Sequence, residues 1–137
     1  MANGHHLKKA KRVLEIEIAA LQRVRRRLGA SFLKAVQLMR QRLENGGKII
    51  VTGIGKSGHI GHKIAATFAS TGTTSVALDP VDAAHGDLGV VSPKDLVIVL
   101  SNSGNTDELL RVVPLLKRLG TPIIGITGNP RSPLAKQ

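Results

Sequence analysis

The chain has 137 residues, 42% of them hydrophobic, and a formal charge of +11, enough for one domain with a single core. It contains no Cys, which excludes a disulfide framework, a thiolate nucleophile and a thiolate metal site. No stretch reaches the ~18 uninterrupted apolar residues of a membrane helix and no signal-type apolar core opens the chain, so the composition reads as a soluble cytoplasmic protein without a membrane partner.

Residues 1–7 read as a tag or a disordered leader. Residues 8–28 predict a helix with Leu14, Ile18, Leu21, Val24 and Leu28 at steps of three or four, ended by Gly29. Ser31 is the expected N-cap of a second helix with the stripe Phe32, Val36, Met39 and Leu43, and Asn45-Gly46-Gly47 closes it. Charge is concentrated here: residues 1–47 carry 11 of the 20 Lys/Arg and three acids. The cluster Arg23, Arg25, Arg26, Arg27 invites a nucleic-acid reading. With no Trp or Tyr to stack bases, and Phe32 and Phe68 expected in the core, a solvated face or an acidic partner fits better.

From residue 48 the pattern alternates. Strands are predicted over 48–53, 74–78, 96–101 and 122–127, and helices over 57–70 and 106–119. Residues 79–91 read as irregular, and Ser92-Pro93-Lys94-Asp95 as a turn. Short, apolar, mostly β-branched strands with helices between them predict a parallel sheet in a three-layer α/β/α sandwich, with the flavodoxin-like order 2-1-3-4. Ser132-Pro133 has the form of another helix start, so the sequence reads as a domain interrupted near its C-terminus.

Two glycine- and hydroxyl-rich turns leave strands and open helices: Thr52-Gly53-Ile54-Gly55-Lys56-Ser57-Gly58, and Ser101-Asn102-Ser103-Gly104-Asn105-Thr106. Helix N-termini present unpaired N–H groups and the positive end of a dipole, which suits an anion. In the order 2-1-3-4 both turns border the crevice between strands 1 and 3, where Ser57, Ser101, Ser103 and Thr106 can converge on one phosphate. The first turn also satisfies G-x-G-x-x-G, with Asp79 placed 21 residues beyond Gly58 as a ribose-binding acid would be. That dinucleotide reading leaves the second turn unexplained and has a foreign Lys in the turn. A P-loop is excluded, because its first Gly falls on Ile50. His85, in a Gly-flanked segment, is a candidate site-lining imidazole. His59 and His62 read as surface or interface residues. Asn105 and Glu108 fit the N-cap and N3 of a capping box.

Gly55-Lys56-Ser57-Gly58-His59-Ile60-Gly61, Ala65-Ala66-Thr67-Phe68-Ala69-Ser70-Thr71-Gly72-Thr73, Ala84-His85-Gly86-Asp87-Leu88-Gly89 and Ser101-Asn102-Ser103-Gly104 resemble a sugar isomerase (SIS) domain, more narrowly the D-arabinose 5-phosphate isomerases. The resemblance runs from about Val13 to the end. It implies exchange of D-ribulose 5-phosphate and D-arabinose 5-phosphate through a cis-enediol, without a cofactor, feeding 3-deoxy-D-manno-octulosonate (Kdo) and lipopolysaccharide synthesis. It implies a homotetramer built through the sheet and the N-terminal helices. Lys56 and Glu108 fall on catalytic positions of the family, and Gly72 and Thr73 on substrate-contacting ones. With the turn residues Gly55, Ser57, Gly58, Ser101, Asn102, Ser103, Gly104 and Thr106, and with His85, they make up the expected pentose-phosphate site. Family members commonly have His-Pro where Asp79-Pro80 stands, a His associated with metal; here Asp79 and His85 are the nearby donors left, which makes zinc a poor fit. A further catalytic Glu and His, the last strand and paired CBS modules are expected beyond Gln137. The alternatives are a non-catalytic sugar-phosphate-binding regulatory domain of the same fold, a nicotinamide-dependent oxidoreductase, and a basic nucleic-acid binder.

Overall fold

A computed structural model describes residues 2–137, with side chains from Gly4 onward, as two compact units that meet in sequence at Val36 and Gln37. In the first unit α1 spans Ala2–Arg27 and α2 begins at Ala30, continuing to Glu44. Ala, Leu, Lys, Arg and Glu favour the helical backbone, and Arg25, Arg26 and Arg27 in the last turn of α1 complement the negative end of its dipole. Three expectations change here. Residues 2–7 are helical rather than disordered, Ser31 lies inside α2 rather than capping it, and Phe32 is 51% exposed rather than in a core. The predicted apolar positions of α1, Leu14, Ile18, Leu21, Val24 and Leu28, are all more than half exposed.

The second unit carries a four-stranded parallel sheet. Its strands are β1 (Ile49–Gly53), β2 (Ser75–Leu78), β3 (Leu96–Ser101) and β4 (Ile123–Thr127), in the spatial order β2-β1-β3-β4. Ile49 of β1 pairs with Ser75 and Leu96, and Val97 of β3 with Ile123. Both central strands are buried along their whole length, as strands covered on two faces must be. Alternation divides their side chains between two layers. Ile49, Val51, Leu96 and Ile98 pack with Leu38, Met39 and Leu43 of α2 and with Ile64, Ala65 and Phe68 of α3 (Lys56–Ser70). Ile50, Val97 and Val99 face Leu109, Val112, Val113 and Leu116 of α5 (Asp107–Arg118), with Ala83 and Leu134 beside them. Each fully buried Leu or Val on these faces contributes about 1.5–3 kcal/mol. This is the expected three-layer α/β/α sandwich.

The segment read as irregular is partly helical. Asp79 caps α4 (Pro80–Ala84), its Oδ1 accepting from Val81 N at 2.8 Å, and a 3-10 turn follows over Asp87–Val90. Ser132 caps α6 (Pro133–Lys136) as its Ser-Pro start predicts, Oγ accepting from Ala135 N at 3.3 Å. No described helix is long and apolar enough to cross a membrane.

Candidate functional site: two uncapped helix starts at the strand ends

The chain turns at the C-terminal ends of β1 and β3, the two central strands. α3 starts after Gly55, which has φ +56° and no side chain to offer, and α5 starts after Thr106, whose hydroxyl makes no cap bond. Thr106 Oγ1 instead lies 2.9 Å from Ser101 Oγ, and Ser101 Oγ also accepts from Gly104 N at 3.0 Å. The contrast with α4 and α6 is physical: those helices are capped by Asp79 and Ser132, while no side chain caps the two beside the crevice, where Ser57 N donates to the Ile54 carbonyl at 3.1 Å.

Lys56, Ser57, Ser101 and Asn102 line one cavity of about 400 Å³, together with Ile60, Leu100, Ile126, Thr127 and Gly128. The crevice thus brings both turns together. Lys56 is the one charged side chain among these described residues, and it is exposed at the first position of α3. Asp107 and Glu108 in the first turn of α5 oppose an anion at that end. A Cβ at Gly55 would meet nothing within 4 Å, so a ligand can approach this backbone closely, whereas at Gly53 or Gly58 it would lie 2.9 or 2.8 Å from backbone atoms. Those two glycines are required for the tight strand-to-helix turn.

The remaining expected residues separate. Ser103 is exposed, its hydroxyl accepting from Asn105 N at 3.2 Å within the turn, and Gly104 is buried in the same turn with φ +64°. The capping box does not form: Thr106, not Asn105, precedes α5, and Glu108 is exposed in its first turn, uncommitted to a cap. His85 ends α4, its amide donating to Asp82 O at 3.0 Å, and its exposed ring lies outside the cavity lining. Gly72 and Thr73 do not join the crevice within one chain. They precede β2, where Thr74 O accepts from Ile49 N, so the length of β1, about 13 Å at 3.3 Å per residue, separates them from Gly53. They line a hollow with Lys48 and Asp95 instead.

Gly53, Gly55, Gly58 and Asp79 do share a second, smaller cavity with His59 and His62. At about 130 Å³ it is below the roughly 300–1,000 Å³ of typical ligand pockets, and the Asp79 carboxylate already caps α4. The dinucleotide reading therefore loses its ribose acid. Among the described residues no three His, Cys, Asp or Glu side chains gather as a metal-ligand set, and the residues present do not fit a zinc site. Ile60, Ile126, Thr127 and Gly128 escaped the sequence reading. Ile60 sits one helical turn beyond Lys56, and Thr127-Gly128 ends β4 as Thr52-Gly53 ends β1.

A doubly wound α/β domain with two helix starts left uncapped at its topological switch point has the geometry to receive an anion there. The chain belongs to the SIS-domain family, whose profile matches residues 42–137. It is 49% identical over 127 residues to the arabinose 5-phosphate isomerase KdsD of Pseudomonas aeruginosa, covering 93% of this chain and 38% of that protein. The KdsD of Francisella tularensis is 41% identical over 96% of this chain and 40% of its own length. An E. coli CFT073 protein solved in complex with arabinose 5-phosphate superposes with a TM-score of 0.91 at 38% identity, covering 99% of this chain and 71% of that one. The chain spans less than half the length of the curated relatives it matches.

Proposed function

We propose that this chain is the sugar-phosphate-binding isomerase domain of an arabinose 5-phosphate isomerase, exchanging D-ribulose 5-phosphate and D-arabinose 5-phosphate. The observation that carries the reading is one cavity lined both by Lys56 and Ser57, at the uncapped start of α3, and by Ser101 and Asn102 of the turn that leads to α5. The 49% identity to a KdsD and the likeness to a protein holding arabinose 5-phosphate favour this substrate over other phosphosugars. The phosphoryl group sits against the first-turn amides of α5 and the Ser101–Thr106 turn, and the sugar lies toward Lys56.

Aldose–ketose exchange moves a proton between C1 and C2 and another between their oxygens. Glu108 removes the carbon-bound proton, forming the cis-enediolate, and returns it to the neighbouring carbon. The Lys56 ammonium steadies the enediolate oxygen as a fixed positive charge. A positioned base contributes about 10²–10⁴-fold. Gly72 and Thr73, distant within one chain, reach substrate from a neighbouring subunit of a homotetramer. The exposed apolar positions of α1 supply surface for that assembly. The setting is cytoplasmic, and the product serves Kdo synthesis.

The test is calorimetric titration with arabinose 5-phosphate, with inorganic phosphate and NAD as controls, followed by an isomerisation assay. Saturable sugar-phosphate binding weakened by Lys56→Met is expected. NAD binding without a sugar-phosphate response overturns the reading.

A further inference from the structure

The turn after β3 is held from behind by the end of β4. Asn102 O accepts from Gly128 N at 3.0 Å and from Thr127 Oγ1 at 3.4 Å. The same hydroxyl accepts from Asn129 N at 3.1 Å, and Gly104 O accepts from Leu134 N at 3.0 Å. The packing is close: a Cβ on Gly104 would lie 2.7 Å from Thr127 Oγ1, and one on Gly128 would lie 2.7 Å from Asn102 Oδ1. Thr127 also lines the cavity with Lys56, Ser57, Ser101 and Asn102, yet the reaction gives it no step.

Peptide planarity gives these contacts a direction. In a trans peptide the C=O of one residue and the N–H of the next point opposite ways. The Asn102 carbonyl is drawn toward β4, on one side of β3. The Ser103 N–H is therefore turned toward the other side, where β1 and the Lys56–Ser57 turn lie. We propose that Thr127 is a positioning residue for the anion site: its hydroxyl fixes the Asn102 carbonyl and so aims the Ser103 amide at the phosphoryl group. The inference rests on the sugar-phosphate reading of the crevice. It adds a residue from the end of β4 that acts through the turn rather than by chemistry of its own.

The experiment compares Thr127→Val, which keeps the shape and loses the hydroxyl, with Thr127→Ser, which keeps the hydroxyl. Amide exchange is followed without ligand, and calorimetry is run with arabinose 5-phosphate and with inorganic phosphate. Thr127→Val is expected to speed exchange at Gly104 and Gly128, leave the β3 amides unchanged, and weaken both ligands about tenfold, the effect of one lost hydrogen bond. Thr127→Ser is expected to restore both readouts to within about threefold. Unchanged exchange and affinity in Thr127→Val, or a Thr127→Ser that behaves like it, overturns the positioning role. If the unaltered chain binds neither ligand, the sugar-phosphate reading fails, and the exchange comparison still decides whether Thr127 holds the turn.

Discussion

Lys48 Nζ lies 2.6 Å from Asp95 Oδ2 at the N-terminal ends of β1 and β3, the end of the sheet away from both glycine turns. Asp95 is 2% exposed, and its carboxylate also accepts from the amides of Lys48 at 3.0 Å and Ser92 at 2.8 Å. Burial by itself raises its pKa. The hydrogen bonds from the Lys48 side chain and the two amides, with the Lys48 charge, outweigh burial and hold the carboxyl below its ordinary 3.8.

A folded-state pKa below the unfolded value means that the stabilisation is complete above about pH 3.8 and is lost as the pH falls through the lower folded pKa. Asp95→Ala is expected to cost about 2–4 kcal/mol at neutral pH, since it strands two amides and a partly buried ammonium. Urea midpoints of wild type and variant should converge on acidification below pH 3.8. A gap that widens there contradicts the assignment.

Gly104 and Gly55 separate two costs of replacing glycine. Gly55→Ala meets open space at φ +56°, so backbone strain alone applies, about 1–3 kcal/mol. Gly104→Ala runs into the Ser132 hydroxyl as well as strain at φ +64°, so its loss should exceed that range. Equilibrium unfolding of the two variants gives the order directly.

Glu108→Gln is expected to lower turnover by about 10²–10⁴-fold while sugar-phosphate affinity changes little, because the amide keeps the shape and loses the base. A fall in affinity that matches the fall in turnover would assign Glu108 to binding. Steady-state kinetics beside calorimetry reads the two apart.

If α1 contributes to a subunit interface, charge on its apolar positions should break it. Leu14→Glu with Leu21→Glu replaces two side chains that are 57% and 68% exposed, so the fold of the chain itself should persist. Light scattering should show a smaller assembly, with circular dichroism unchanged. An unaltered mass contradicts a role for this face.

The residues buried on both faces were the legible ones. Unbroken apolar runs at 49–51 and 96–100, mostly β-branched and each followed by a glycine turn, give the central strands and, with alternating helices, the strand order. Position-by-position chemistry was harder. Asn105 and Glu108 have capping-box spacing, but Thr106 is engaged by Ser101 and the helix starts one residue later. The helix at 80–84 announced itself only by Asp79-Pro80, an N-cap followed by Pro at the first helical position, and it is too short for any periodicity. Thr127 was hidden for another reason: its role depends on the carbonyl of Asn102, 25 residues away, and no local pattern encodes that contact. Phe32 shows the converse, a helical stripe that does not by itself say what covers it.

An anion seated at the open starts of α3 and α5 would tie the stability of this domain to what is dissolved around it. An anion that binds the folded crevice and not the unfolded chain raises the unfolding free energy by RT ln(1 + [L]/Kd), about 2.7 kcal/mol at a hundredfold excess over Kd. A melting temperature for this protein therefore has meaning only with its buffer stated. Phosphate and a non-coordinating buffer at equal ionic strength should give different values.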